Sequence, residues 1–341
     1  MPGRSTTEVI HVLRRLMEKY REKKRDLHMV FIDPEKAYDS VPRQLIWGSL
    51  ASRGIPWRYI EIIKDTYARA KTSVRAPVGD IDPFSVEVGL HQGSALSPFL
   101  FVVILDELSR SIQEDIPWCM LFADDIVLMA ERKDDLNVRT NNEVNEVTIG
   151  GQEVPQTTKF KYVLSDGDID CDMAHRVQAG WNKWKAATSI LCDKRFPDKL
   201  KGKFRVAVRP AMLYGTDCWP IKKIHERKLE TAEMRMLRWM CLQTRLDRIR
   251  NETIRGRVGV TCISDKVREG RLRWFCQVRR RHVLAPVRRV ETLSVEGKRY
   301  RSRPRLTWEE QIRQDMITLH LSEDMISDRN SWRCRIKARD S

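Results

Sequence analysis

The stretch Phe122-Ala123-Asp124-Asp125 constrains this chain more than any other, because apolar runs flank it on both sides, Cys119 to Leu121 before and Ile126 to Met129 after. Two short apolar runs joined by a polar pair predict a tight β-hairpin with two carboxylates at its tip. Two adjacent anions about 4 Å apart repel by roughly 4 kcal/mol at an effective dielectric near 20. Such a tip needs a cation, a shared proton or full exposure to water. A divalent metal is one answer. An Asp-Asp turn in a solvated hairpin is the other, since Asp is a common turn former.

The surroundings narrow the choice. Ser5 with Glu8 three residues on forms a capping box, and Val9, Leu13, Leu16, Met17 and Tyr20 follow at helical spacing, predicting a helix that ends near Arg25. Leu27 to Ile32 is a continuous apolar run, short enough for a buried strand, and Asp33 stands at its exit. Helices are predicted from Pro42 to Gly54 and from Trp57 to about Arg69, then a hairpin within 72–88 around Gly79-Asp80. Ser97-Pro98 opens an apolar helix running through Phe101, Ile104, Leu108 and Ile112. This order suits an α+β layer, an antiparallel sheet with helices on one face. Asp33 is then expected on the strand beside the hairpin, so that three carboxylates converge at one sheet edge. Beyond residue 172 the pattern turns mainly helical, including Met173 to Cys192 and His225 to Cys241, and the boundary falls in the polar stretch from Gly150 to Asp172.

The chain has 341 residues and a net charge of +16, which calls for a polyanionic partner. Between Lys266 and Arg305 fourteen Lys or Arg stand against three acids, so nucleic acid leads over an anionic membrane surface. No run of eighteen apolar residues supports a membrane span, and Met1 to Arg15 lacks the apolar stretch of a signal peptide. The expected location is intracellular, nuclear or cytoplasmic. Eight scattered cysteines without C-x-x-C or His spacing predict reduced, mostly buried thiols rather than a zinc site.

Three stretches stand in one order: FIDPEKAYDSVPR (Phe31 to Arg43), GLHQGSALSPFLF (Gly89 to Phe101) and FADDIVL (Phe122 to Leu128). They resemble palm motifs A, B and C of reverse transcriptases, above all those of non-LTR (LINE-type) retrotransposons of the RTE-like group. The likeness continues through FKYVLSD, RPAMLYG, AEMRMLRWM and REGRLRWF. It implies a fingers remnant over 1–26, a palm over 27–150, a linker and primer-grip-like hairpin over 151–172, a helical thumb-like region over 173–260 and a basic C-terminal region over 261–341. The implied function is an RNA-directed DNA polymerase that acts on an RNA template, a DNA primer and dNTPs.

On this resemblance Asp33, Asp124 and Asp125 are the catalytic and metal-binding carboxylates for two Mg²⁺ ions, hard cations that take oxygen ligands. Tyr38 is the aromatic that closes on the sugar and excludes a 2′-hydroxyl; the alternative role is that of a core tyrosine. Gln92, Gly93, Ser97 and Pro98 form the substrate-binding segment under template and nucleotide. Phe160 and Tyr162 match the primer grip, although two alternate aromatics also fit a half-buried strand. Arg279, Arg280, Arg281, Arg288, Arg289, Lys298, Arg299, Arg301, Arg303 and Arg305 are the candidates for phosphate contacts, which orient without reading sequence.

Departures from the family pattern accompany these matches. Only 32 residues precede Asp33 where the family carries a full fingers region, and about 34 separate Asp125 from Phe160, with no match for the family's pyrophosphate lysine. Leu164 replaces a primer-grip glycine, and Pro34 follows Asp33 directly. The expectation is a truncated copy with impaired catalysis. The alternative is a catalytically dead remnant that only binds nucleic acid through its basic C-terminal half. A nucleotide cyclase, which also hangs two carboxylates on such a sheet, fits the Gln92 to Pro98 segment and the basic tail less well.

Overall fold

The computed structural model describes residues 6–32, 36, 38–68, 70–73, 75–76, 79–80, 82–110, 118–122, 125–139, 147–149, 152–154, 169–297 and 306–338. The chain divides into two compact units, one of His28–Val154 and one that joins Met1–Leu27 to Pro155–Ser341. The first 27 residues thus group with the carboxy-terminal helices instead of standing as a segment of their own.

The elements begin with α1 (Thr6–Lys23), β1 (His28–Ile32), α2 (Arg43–Ser52), α3 (Trp57–Ala68), β2 (Lys71–Thr72), β3 (Arg75–Ala76), β4 (Gly79–Asp80) and β5 (Phe84–Ser85). Next come α4 (Ser97–Leu108), β6 (Cys119–Phe122), β7 (Asp125–Ala130), α5 (Lys133–Arg139), β8 (Val147–Ile149) and β9 (Gln152–Val154). The main sheet is antiparallel in the order β1-β7-β6, with β7 in the middle. The hairpin expected within 72–88 is present as the antiparallel pairs β2–β5 and β3–β4, with Gly79 and Asp80 in β4 opposite Ala76 and Arg75. Pro42 caps α2 from outside instead of filling its first helical position.

Alternation along β7 explains the packing on this sheet. Ile126, Leu128 and Ala130 point one way and join Ile32, Ile46 and Leu50 of β1 and α2, Ile60 and Tyr67 of α3, and Leu100, Phe101 and Ile104 of α4 in one core. The opposite face was expected to be bare of helices, yet Val127 and Met129 on it are buried too. A central strand covered on both faces reads as a continuous apolar run, and Ile126 to Met129 is one.

The second unit is helical: α6 (Ile169–Ala186), α7 (Thr188–Leu191), α8 (Asp198–Lys201), α9 (Phe204–Ala207), α10 (Arg209–Leu213), α11 (Lys223–Met240), α12 (Asn251–Val258), α13 (Ile263–Arg280), α14 (Pro286–Thr292), α15 (Trp308–Thr318) and α16 (Arg329–Ile336). The helix expected over 173–192 is broken at Ala187 into α6 and α7. α13 packs against α11, α15 and α16, and α1 packs against α14. Trp184, Trp219, Trp308 and Trp332 are fully buried. Trp308 donates from Nε1 to the Asp217 carbonyl at 2.8 Å and Trp332 to the Leu272 carbonyl at 3.3 Å, so their polar ends are satisfied.

Charges enter this core in pairs. Arg209 donates to Glu233 at 2.7 Å and Arg271 to Asp315 at 2.7 Å, while Arg14 pairs with Asp172 and Arg15 bridges Glu18 and Glu309. Lys19 donates to the carbonyls of Glu291 and Leu293 at 2.7 and 2.6 Å, tying α1 to the far end of the chain. His11 is fully buried, edge-on to Trp274 and Trp308, with no hydrogen bond to either ring nitrogen. Burial, helped by the Arg15 charge, pushes its pKa down to about 3.

Candidate functional site

The sheet register sets the frame. Ile32, the last residue of β1, pairs with Ile126, and Phe122 pairs with Asp125 across the hairpin, so Ala123 and Asp124 alone connect β6 to β7. The exit of β1 and the hairpin end of β7 are therefore neighbours on the same edge of the sheet. Asp33 and Asp124 lie outside the described residues, each one position from a described strand end, and Asp125 is described by its backbone as the first residue of β7. Among the described residues no group of three or more His, Cys, Asp or Glu is placed to hold a metal ion.

Two loops meet near this edge. Tyr38 stacks its ring on Phe101 of α4, with centroids 4.4 Å apart and planes at 19°, and packs against the core as a half-buried side chain. Leu90 donates its N–H to the Tyr38 carbonyl at 2.7 Å, and Gly89 to the Val41 carbonyl at 2.9 Å. Gln92 donates from Nε2 to Asp39 Oδ1 at 2.7 Å. Lys36 takes a left-handed φ of 50° to close the turn that carries Tyr38 and Asp39, and its carbonyl accepts from Asp39 N–H and Ser40 N–H.

The second loop is held from below. Ser97 is buried, donates from Oγ to the His91 carbonyl at 2.7 Å and lies 3.5 Å from the Tyr67 hydroxyl. Pro98 follows it in the first turn of α4, where its missing N–H has no helical partner to lose. Tyr67 stacks on His91 at 4.3 Å, and Arg43 caps the other side of Tyr67, donating to the Tyr67 and Val86 carbonyls. Gly93 adopts φ 86°, a conformation glycine takes without cost.

Gly89 is the residue that sequence reasoning missed. Its φ is 85°, and a Cβ there would sit 2.6 Å from the Asp39 carbonyl oxygen, so only glycine lets the two loops close on each other. The signal available was its place at the head of the GLHQG run. Tyr38, Gln92, Gly93, Ser97 and Pro98 are thus brought into one hydrogen-bonded and stacked assembly.

The basic candidates fare differently. Arg281 donates to Glu8 of α1 at 2.6 Å, and Arg280 to the Ile326 carbonyl at 3.0 Å. Arg279 sits over Phe275 and reaches Glu323 at 3.5 Å, Arg288 reaches Glu291 at 3.3 Å, and Arg289 is engaged as well. Arg280 and Arg281 thus tie the end of α13 to other parts of the helical unit, whereas Arg288 pairs within α14. Phe160, Tyr162, Lys298, Arg299, Arg301, Arg303 and Arg305 lie outside the described residues.

Residues 1–149 match the reverse transcriptase (RNA-dependent DNA polymerase) family. The match covers the sheet, both loops and the carboxylate positions. Relatives place it more closely. A Pol polyprotein from the R2DM retrotransposable element of Drosophila melanogaster is 29% identical over 135 residues, 37% of this chain and 13% of the relative. A Pol polyprotein from an R2 element of Popillia japonica is 28% identical over 170 residues, 41% of this chain and 24% of the relative. A 149 kDa protein of the transposon TX1 of Xenopus laevis is 24% identical over 147 residues, 40% of this chain and 11% of the relative. Residues 1–149 are thus similar to the reverse transcriptases of non-LTR retrotransposons. The chain spans less than a quarter of the length of these relatives, and the RTE-like grouping stays an expectation. Nucleotidyl transfer in this family normally uses divalent metals, and its members bind an RNA template and a primer. No described helix is long and apolar enough to cross a membrane.

Proposed function

We propose that the unit of His28–Val154 carries the nucleotidyl-transfer centre of an RNA-directed DNA polymerase, with Asp33, Asp124 and Asp125 as its carboxylates. The observation that supports this best is the β1–β7 register. Ile32, the residue before Asp33, stands opposite Ile126, the residue after Asp125. Directly opposed residues of an antiparallel pair have Cα atoms about 4.5 to 5.5 Å apart, within the span of one cation's ligand shell. The donor set also fits magnesium, which prefers a few carboxylate oxygens together with phosphate and water. Bound there, magnesium supplies Lewis-acid activation of a primer 3′-hydroxyl and charge neutralisation at the leaving pyrophosphate.

The protein's own part is positioning. Tyr38, backed by Phe101, is a rigid wall for the sugar of an incoming dNTP, and a 2′-hydroxyl would meet it. Gln92, held by Asp39, and Gly93, with no side chain, form the floor on which a templating base lies. Ser97 and Pro98 anchor that floor to α4. Phe160 and Tyr162 complete the reading as the grip on the primer end. Substrates on this view are an RNA template, a DNA primer and dNTPs.

Primer extension on poly(rA)·oligo(dT) with Mg²⁺ tests the proposal. Incorporation is expected, and Asp124→Asn should abolish it. No incorporation by the parent chain, or equal incorporation by Asp124→Asn, would leave a nucleic-acid-binding remnant in its place.

A further inference from the structure

The candidate arginines among the described residues are engaged within the helical unit, whereas a different basic surface of that unit keeps two arginines without a carboxylate partner. α11 presents its core stripe through Leu229, Ala232, Met236, Leu237 and Met240, all buried. Its other face carries Arg235, Arg238 and Trp239 and leads into Leu242 and Arg245. Trp239 is 60% exposed, an uncommon state for so large an apolar group. It leans on two indoles of α6, with ring centroids 6.3 Å from half-buried Trp181 and 5.2 Å from buried Trp184. Trp181 and Trp184 meet edge-on at 5.5 Å. The exposed ring is therefore held in place from behind.

Trp181 and Trp239 line a cavity of about 500 Å³ together with Arg235, Arg238 and Arg245. A second cavity of about 230 Å³ shares the same three arginines. Arg238 is structural, because it donates to the carbonyls of Thr244 and Ile249 and to Asn251 Oδ1 at 3.1, 2.8 and 2.9 Å and so holds the segment after α11. Among the described residues the guanidinium groups of Arg235 and Arg245 pair with no carboxylate. Glu230, which borders the smaller cavity, accepts from Ser264 Oγ at 2.6 Å and from Cys262 Sγ at 3.2 Å. Asp247 is likewise occupied, by the N–H and hydroxyl of Thr244.

We infer that this groove is a binding site for single-stranded nucleic acid, in which an unpaired base stacks on Trp239 and Trp181 while Arg235 and Arg245 hold the flanking phosphates. Unpaired guanidinium groups beside an apolar wall complement a ligand that alternates a flat π-face with an anion, and a single strand is that ligand. From Arg235 to Arg250 five arginines face one acid, Asp247, so the local field draws a polyanion. Stacking tolerates any base, and of the two side-chain amides that line the cavities, Gln243 and Asn251, the second is already held by Arg238. A duplex hides its base faces and finds only the arginines. The site stands on the helical unit and does not depend on the carboxylates of the sheet.

Fluorescence anisotropy of the full chain with a labelled oligo(U) of about twenty nucleotides, and with a duplex of equal length, tests the site. Trp239→Ala should weaken oligo(U) binding about tenfold or more and leave duplex binding unchanged, and Trp239→Phe should keep most of the affinity. Arg235→Glu combined with Arg245→Glu, which touches no core residue, should weaken oligo(U) binding comparably and lower its salt dependence. Circular dichroism melting reports whether each variant folds. Parent-level oligo(U) affinity in the folded Arg235/Arg245 double variant overturns the proposal, as does an equal loss on duplex and single strand in Trp239→Ala. Preferential binding of an acidic, aromatic peptide that displaces oligo(U) overturns it as well, by assigning the groove to a protein partner.

Discussion

In the sheet unit the buried side chains of β7 are aliphatic, Ile126, Val127, Leu128 and Met129, whereas the helical unit buries Arg209, Glu233, Arg271 and Asp315 among its tryptophans. The first kind of core is non-directional and its stability follows apolar area removed from water. The second depends on partners, since a buried charge is tolerated only while paired and hydrogen-bonded. This difference bears on how net charge is read. An excess of +16 describes the whole chain, but an arginine that crosses between helices does not present its charge to a ligand. Arg281 meets Glu8 across 273 positions of sequence, and Arg280 meets the Ile326 carbonyl. Arg235 and Arg245 lie in a less basic stretch and remain open to one.

The largest effects should come from the two cores. Arg271→Ala leaves buried Asp315 with only the more distant Arg268, at 3.8 Å, and is expected to cost roughly 3 kcal/mol in urea unfolding. Replacing both partners with apolar residues of similar volume should recover much of that loss. Leu128→Ala in the sheet unit removes only packing, with an expected cost of about 2 to 5 kcal/mol. If the two units unfold separately, each variant shifts its own transition; one shared shift would show that they unfold together.

Next in size is a pH effect confined to the helical unit. Burial raises the Asp217 pKa from 3.8 to about 6, against the opposing charges of Arg273 and Arg271. The folded state then binds a proton that the unfolded state has already released, so this group's contribution is lost as pH rises from about 4 to 6. Asp217→Asn should gain stability relative to the parent at pH 7, by up to about 3 kcal/mol, and the gain should vanish below pH 4. His11 acts in the opposite sense. Its folded pKa of about 3 lies below the ordinary histidine value of 6.5, so its contribution is intact at neutral pH and is lost as pH falls from 6.5 toward 3. His11→Gln should therefore flatten the acid limb of the stability curve measured by urea titration.

Smaller effects belong to the loops of the site. Gly89→Ala forces a side chain against the Asp39 carbonyl at a left-handed φ and should cost about 1 to 3 kcal/mol, read as a lower melting temperature. Gln92→Ala removes one exposed hydrogen bond to Asp39 and should cost no more than about 1 kcal/mol. On the proposed function it would nonetheless reduce primer extension, because the floor under the template loses its tether. An unchanged extension rate in a folded Gln92→Ala protein would remove Gln92 from that role.

Much of the architecture was legible along the chain. The helices α1, α2, α3 and α4, the strand ending at Ile32 and the hairpin of β6 and β7 all stand within a few residues of where periodicity and capping signals put them. The hairpin within 72–88 was legible too, though only the pairing with Arg75 and Ala76 puts Gly79 and Asp80 in a strand. The break at Ala187 left no mark in the apolar pattern. Of the substrate-site residues, Tyr38 and Gln92 were legible through motif resemblance, but the Gly89 contact with Asp39 joins positions that local pattern does not relate.

What the sequence determined by itself was local: strand and helix periods, the hairpin that carries Asp124 and Asp125, and the order of motifs that matches a reverse transcriptase. These follow from steric and hydrophobic preferences that act over a few residues. Only the tertiary structure decided which charges are occupied, that His11 sits dry between two indoles, and that Trp239 stays open beside unpaired guanidinium groups. Burial and pairing depend on groups brought together from distant parts of the chain, and composition counts those groups without saying where they meet.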